Sequence, residues 1–282
     1  MVLVTDKQFY MDKRLKEKID LLIKRCEKTT SGKKDVVLLI EGDEGEGKSN
    51  FSIQIGYYVS QETGRPFSEE NIYFSLEKMI DKAKKTERQI LIWDEPALEG
   101  LSNEWWKQTQ RNLIKLLMMA RKKRHFIMIN ITKFFKFPEY VVVDRAIGMI
   151  HVYSRKELQA GRFVYFKKKS KEILFYSYRS SKKRMYRKYY SFRGTFPWVL
   201  PKIINEEEYE KNKDDAIMSI GGEEDMPKWK IMLYVLRYKV SQLPLKDKEK
   251  AEGIGVSIMT IQRWKKIKQK YPSFFENEEN NT

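Results

Sequence analysis

The chain has 282 residues, 41% of them hydrophobic, with 56 Lys and Arg against 39 Asp and Glu for a formal net charge of +17. That length suits one α/β domain of roughly 200 residues plus a small second domain, and the charge points to a polyanionic partner. The single cysteine, Cys26, excludes an intramolecular disulfide, and neither a long uncharged apolar run nor a signal pattern is present, so a cytoplasmic protein without a membrane span is expected.

Residues 8 to 28 place Phe9, Leu15, Ile19, Leu22, Ile23 and Cys26 at helical spacing among charged residues, which predicts an amphipathic helix within an N-terminal segment, 1–33. A core, 34–154, then opens with the apolar run Val36-Val37-Leu38-Leu39-Ile40, followed by Glu41 and by Gly42-Asp43-Glu44-Gly45-Glu46-Gly47-Lys48-Ser49 and a helical pattern. That is the strand, phosphate loop and helix of a P-loop. Glycines at 42, 45 and 47 allow the backbone to turn its N–H groups toward a polyphosphate, Lys48 would reach the β- and γ-phosphates of ATP, and the Ser49 hydroxyl would hold Mg²⁺.

Asn71 to Phe74 reads as a short strand and 75–85 as a helix. Gln89-Ile90-Leu91-Ile92-Trp93-Asp94-Glu95-Pro96 is an apolar strand ending in two carboxylates, where Asp94 would steady Mg²⁺ and Glu95 would polarise the attacking water. A helix is predicted over about 103–123, with Trp106, Leu113, Leu117 and Ala120 on one face and Arg121-Lys122-Lys123-Arg124 at its end. His125 to Asn130 is another buried strand, and Asn130 is a candidate sensor of phosphate or water. In the stretch from Tyr140 to Tyr153, a turn or short helix leads into a strand; Arg145 there is the first candidate for an arginine finger, Arg121 and Arg124 the second, and His151 reads as structural.

Residues 155 to 196 carry 14 Lys and Arg against Glu157 and Glu172, interleaved with aromatics. This predicts β-hairpins in a basic extension, 155–204, with Lys167, Lys168, Lys169, Lys182, Lys183 and Arg184 contacting DNA phosphates. The acidic stretch 205–225 reads as a flexible linker ending near Gly221-Gly222. Residues 226–282 predict three helices in which Ala251, Gly255, Ile261 and Trp264 have helix-turn-helix spacing, Thr260, Gln262, Arg263 and Lys266 face DNA, and the last residues, 276–282, fray.

In the order P-loop, Asp94-Glu95 strand, Asn130 strand, residues 34 to 153 resemble the additional-strand, catalytic-glutamate P-loop ATPases, and within them the FtsK/HerA-like DNA-pumping ATPases of conjugation and viral packaging. The resemblance implies a RecA-like α/β core with a mostly parallel sheet, a DNA-stimulated Mg²⁺-dependent ATPase, and a homo-oligomeric ring, usually hexameric, that moves duplex DNA. Two other readings share the same core: a replication initiator, helicase or transposition regulator, and a slow ATP-switched DNA-binding adaptor.

Overall fold

The computed structural model describes residues 2–3, 9–28, 34–94, 103–154, 160–219 and 228–270. The chain divides into two compact units, 1–216 and 217–282. In the first, two short strands, β1 (Val2–Leu3) and β2 (Tyr10–Met11), precede helix α1 (Lys13–Glu27). The Asp12 carboxylate accepts from the Arg14 and Leu15 backbone N–H groups, satisfying two donors that a helix start leaves unpaired. Leu15, Ile19, Leu22, Ile23 and Cys26 form the buried stripe of α1, as their spacing requires.

The chain then alternates: β3 (Val36–Glu41), α2 (Lys48–Thr63), β4 (Ile72–Tyr73), α3 (Leu76–Lys85), β5 (Ile90–Asp94), α4 (Asn103–Ala120), β6 (Phe126–Ile131), a π-helical stretch Tyr140–Arg145, and β7 (Gly148–Tyr153). These strands run parallel in the order β4-β5-β6-β3-β7, and β8 (Ala160–Lys167) and β9 (Phe192–Pro197) extend the sheet antiparallel beyond β7. All of β3, β5 and β6 is buried, the mark of a parallel sheet covered on both faces. Val36, Leu38 and Ile40 pack with α1 and α2, whereas Val37 and Leu39 pack with α3 and α4. Each such side chain contributes about 1.5–3 kcal/mol through burial. The result is an α/β unit with a mixed, mostly parallel seven-stranded sheet.

Two expectations are corrected here. The basic segment is not a set of hairpins: β8 and β9 do pair, but between them the chain forms α5 (Lys168–Ser181) and α6 (Tyr186–Tyr189). Lys171, Leu174 and Phe175 are buried at i, i+3 and i+4 against the sheet, and this packing overrides an aromatic-rich composition. The acidic stretch is likewise not a flexible linker from residue 205, because 206–219 is α7 (Glu206–Ser219). Asn205 caps it by accepting from the Glu207 and Glu208 N–H groups, and Glu206, Glu207 and Glu208 occupy the first turn, where the helix dipole favours negative charge. Gly221-Gly222 and residues 276–282 lie outside the described residues.

The second unit is helical: α8 (Lys228–Gln242), α9 (Asp247–Ile254), α10 (Ile258–Lys265) and α11 (Ile267–Lys270). Gly255, at φ 67°, ends α9, and Ser257 caps α10 by accepting from the Thr260 N–H. Ala251 and Ile261 are buried at the α9–α10 contact, and Lys265 Nζ pairs with Asp247 at 2.8 Å. Among the described residues no helix is long and apolar enough to cross a membrane.

Candidate functional site

Ligands of open parallel sheets sit beyond the carboxyl ends of the strands, and β3, β5 and β6 bring their C-terminal residues together there. The loop leaving β3 is pressed against the sheet: a Cβ on Gly42 would lie 2.5 Å from the Val152 carbonyl oxygen, so only glycine fits. At its far end Gly47 has φ 83°, a left-handed conformation that a side chain opposes, and it places the first N–H groups of α2 at the loop with no side-chain cap. Such a helix start attracts anions. Asp43 and Glu44 are exposed, Glu46 is half-buried, and Gly45 is also left-handed at φ 76°. Lys48 Nζ donates to the carbonyl oxygens of Gly42 and Asp43 at 2.9 and 2.7 Å. Burial holds this ammonium below the ordinary lysine range, partly offset by Asp94, Glu41, Glu44 and Asp43.

Asp94 ends β5 opposite Asn130 on β6, in register. Asn130 Nδ2 donates to Asp94 Oδ1 and to Ser52 Oγ, both at 3.0 Å, while its own Oδ1 is buried without a partner among the described residues. Ser52 Oγ in turn donates to the Ser49 carbonyl at 2.8 Å. One asparagine thus ties β5 to α2 and fixes how the Asp94 carboxylate is turned. The second carboxylate oxygen accepts from the Tyr209 hydroxyl of α7 at 3.2 Å, and the Ser49 side chain adjoins the same phenol. Burial first, and then the Asp94 charge, push this phenol well above the usual tyrosine range. Ser49 and Asp94 suit Mg²⁺, which takes few protein ligands and keeps waters and phosphate oxygens; among the described residues no three His, Cys, Asp or Glu form a protein-only cation cage. Glu95, and the Trp106 side chain expected on α4, lie outside the described residues.

Beside the loop, Glu41 Oε2 lies 2.5 Å from His151 Nδ1, and Glu41 Oε1 accepts from the Tyr186 hydroxyl at 2.7 Å. The His151 and Tyr186 rings stack at 3.8 Å, and the Tyr186 bond to Glu41 pins α6 to the residue preceding Gly42. The arginine candidates sit before β6 and β7, at the amino ends of the strands, whereas the loop leaves the carboxyl end of β3. Arg145 pairs with buried Asp35 at 2.5 Å, and Arg124 donates to the Cys26 and Glu27 carbonyl oxygens at 2.9 and 2.5 Å. Both are engaged within the chain, whereas Arg121 is exposed.

Lys167, Lys168, Lys169, Lys182, Lys183 and Arg184 are all exposed. They are not one sheet face: the first three stand at the start of α5 and the last three beyond its end, about 21 Å apart at 1.5 Å per residue. Lys171, between them, is fully buried, and its Nζ has no hydrogen-bond partner among the described residues. In the second unit Gln262, Arg263 and Lys266 are exposed and Thr260 is half-buried. Sequence reasoning missed Ser52, Tyr186 and Tyr209; only the Asn205 cap followed by three glutamates signalled the helix that carries Tyr209. No protein-family model matches the chain, and no curated protein matches it.

Proposed function

We propose that the chain is an ATP-hydrolysing DNA motor, a Mg²⁺-dependent ATPase with a RecA-like core, a basic surface for DNA phosphates and a helix-turn-helix tail that reads sequence. The observation that carries this reading is the convergence of Lys48, Ser49, Asp94 and Asn130 at the glycine-rich loop that opens α2. The position of β6 between β3 and β5 supports it too, since an inserted strand there is what names the additional-strand ATPases.

In this reading the N–H groups of the loop and of the first turn of α2 bind the phosphates, and Lys48 exchanges the Gly42 and Asp43 carbonyls for phosphate oxygens. Ser49 and Asp94 would hold Mg²⁺, which supplies charge neutralisation at the β- and γ-phosphate oxygens. Asn130 keeps Asp94 in the orientation that this needs. Glu95 takes a proton from the water whose oxygen attacks the γ-phosphorus as the bond to the bridging oxygen breaks. A ring in which each site meets the strand amino ends of its neighbour makes Arg121, rather than Arg145, the better-placed donor in trans. The engagement of Arg145 and Arg124 within the chain favours, as a second reading, the slow ATP-switched adaptor.

The test is ATP turnover by the full chain alone, with long duplex DNA and with single-stranded DNA. A motor gives turnover stimulated by duplex, whereas a switch gives slow turnover that is indifferent to it. Lys48→Ala is expected to lose nucleotide binding, and Glu95→Gln to bind ATP without hydrolysing it; wild-type turnover in Glu95→Gln would remove the catalytic assignment.

A further inference from the structure

Resting on the nucleotide-site reading above, we infer that Tyr209 competes with the divalent cation: its phenol donates to Asp94 beside Ser49, so nucleotide with Mg²⁺ enters only as α7 withdraws, coupling site occupancy to the segment that leads into the second unit. The phenol donates to Asp94 and adjoins Ser49, the two side chains that would ligate Mg²⁺. Mg²⁺ needs carboxylate and hydroxyl oxygens at roughly 2.0–2.1 Å in octahedral arrangement. A phenol donating its proton to that carboxylate takes the lone pair and the space that an ion requires.

The attachment is also suited to release. Tyr209 is 3% exposed, and its ring lies 5.8 Å from that of Phe74, yet it is the single buried residue of 206–215. Over the residues of α7 whose burial is described, docking therefore runs through this one side chain. Residue 216 is the last of the first unit, so α7 is the only covalent path from this site to the helical tail.

The experiment uses the full chain, wild type and Tyr209→Phe, titrated with N-methylanthraniloyl-ATP at graded Mg²⁺ and in EDTA. Phenylalanine keeps the ring against Phe74 and removes only the hydroxyl that donates to Asp94. Half-saturating Mg²⁺ is expected to fall about tenfold, the scale of one hydrogen bond to a charged group, with metal-free affinity unchanged. Hydrogen exchange on the wild type is the second readout: amides of 206–213 should exchange faster when Mg²⁺-nucleotide saturates the site. Equal or higher Mg²⁺ requirement in Tyr209→Phe, or unchanged protection of 206–213 under saturation, overturns the inference while leaving the nucleotide site standing. If neither protein binds the nucleotide at any Mg²⁺ concentration, the site reading fails and the inference falls with it.

Discussion

Replacing Lys171 with methionine should make the protein more stable at neutral pH, although a positive charge is lost from its most basic segment. The side chain is fully buried on α5 and its Nζ lacks a partner among the described residues. Burial, reinforced by the Lys168 charge and only partly offset by Glu172 and Asp144, pushes its ammonium from 10.5 down to about 8. A depression of that size corresponds to about 3 kcal/mol at roughly 1.4 kcal/mol per pH unit. Between these two values the unfolded chain binds more protons than the folded one, so stability rises with pH across that window. The penalty is present in full below about pH 8 and disappears as pH approaches 10.5. Methionine occupies a similar volume without charge, and removing a buried unpaired ion is stabilising. Urea unfolding followed by circular dichroism should therefore give Lys171→Met an advantage of about 3 kcal/mol at pH 7, shrinking to about 1 kcal/mol at pH 9.5. A variant less stable than wild type at pH 7, or an advantage equal at both pH values, would refute this account of the buried amine.

Asn130→Ala removes the donor that orients Asp94, so steady-state ATP turnover should fall about 10- to 100-fold while nucleotide affinity changes little. Arg145→Ala strips the partner from buried Asp35 and should cost about 3–5 kcal/mol, seen as a lowered Tm, so lost activity in that variant does not identify a finger. Arg121→Ala should leave Tm unchanged and lower turnover roughly 10³-fold if it serves a neighbour, with partial rescue on mixing with Lys48→Ala subunits. A chain ending at Ala216, which keeps Tyr209 in place, should retain DNA binding that weakens steeply with salt but lose any preferred site; in the full chain Arg263→Ala should lower that preference by about 1–3 kcal/mol, measured by competition with random duplex.

The elements around the loop were legible because their signals are local and strong. A continuous apolar run such as Val36 to Ile40 has no solvent-compatible face, glycines at 42 and 47 answer a backbone requirement, and Asp94 ends a run too apolar to be surface. What failed had a tertiary origin. Nothing in Lys168 to Ser181 announces that a lysine will be buried, and with Lys171 counted as polar the helical stripe of Leu174 and Phe175 loses its first member. In α7 the acids dominate the composition, yet one tyrosine decides where the helix docks, and composition averages that residue away. The arginines carry the same lesson: Arg145 is adjacent to Asp144 in sequence but bonds Asp35, which only the parallel pairing of β3 with β7 brings near.

The order of the strands also sets a timetable for synthesis. β3 is made early but completed late: Val36 pairs with Phe126, 90 residues further on, and Leu38 with Gly148, 110 residues on. At roughly 5–20 residues per second, the five-residue apolar run of this strand waits several seconds on the ribosome before either neighbour exists. Such a segment is prone to pair with other nascent chains. The charges at its ends, Lys33, Lys34 and Asp35 before it and Glu41, Asp43 and Glu44 after it, are then gatekeepers as well as site and ion-pair residues. Neutralising substitutions there should lower soluble yield before they lower the stability of whatever protein does fold.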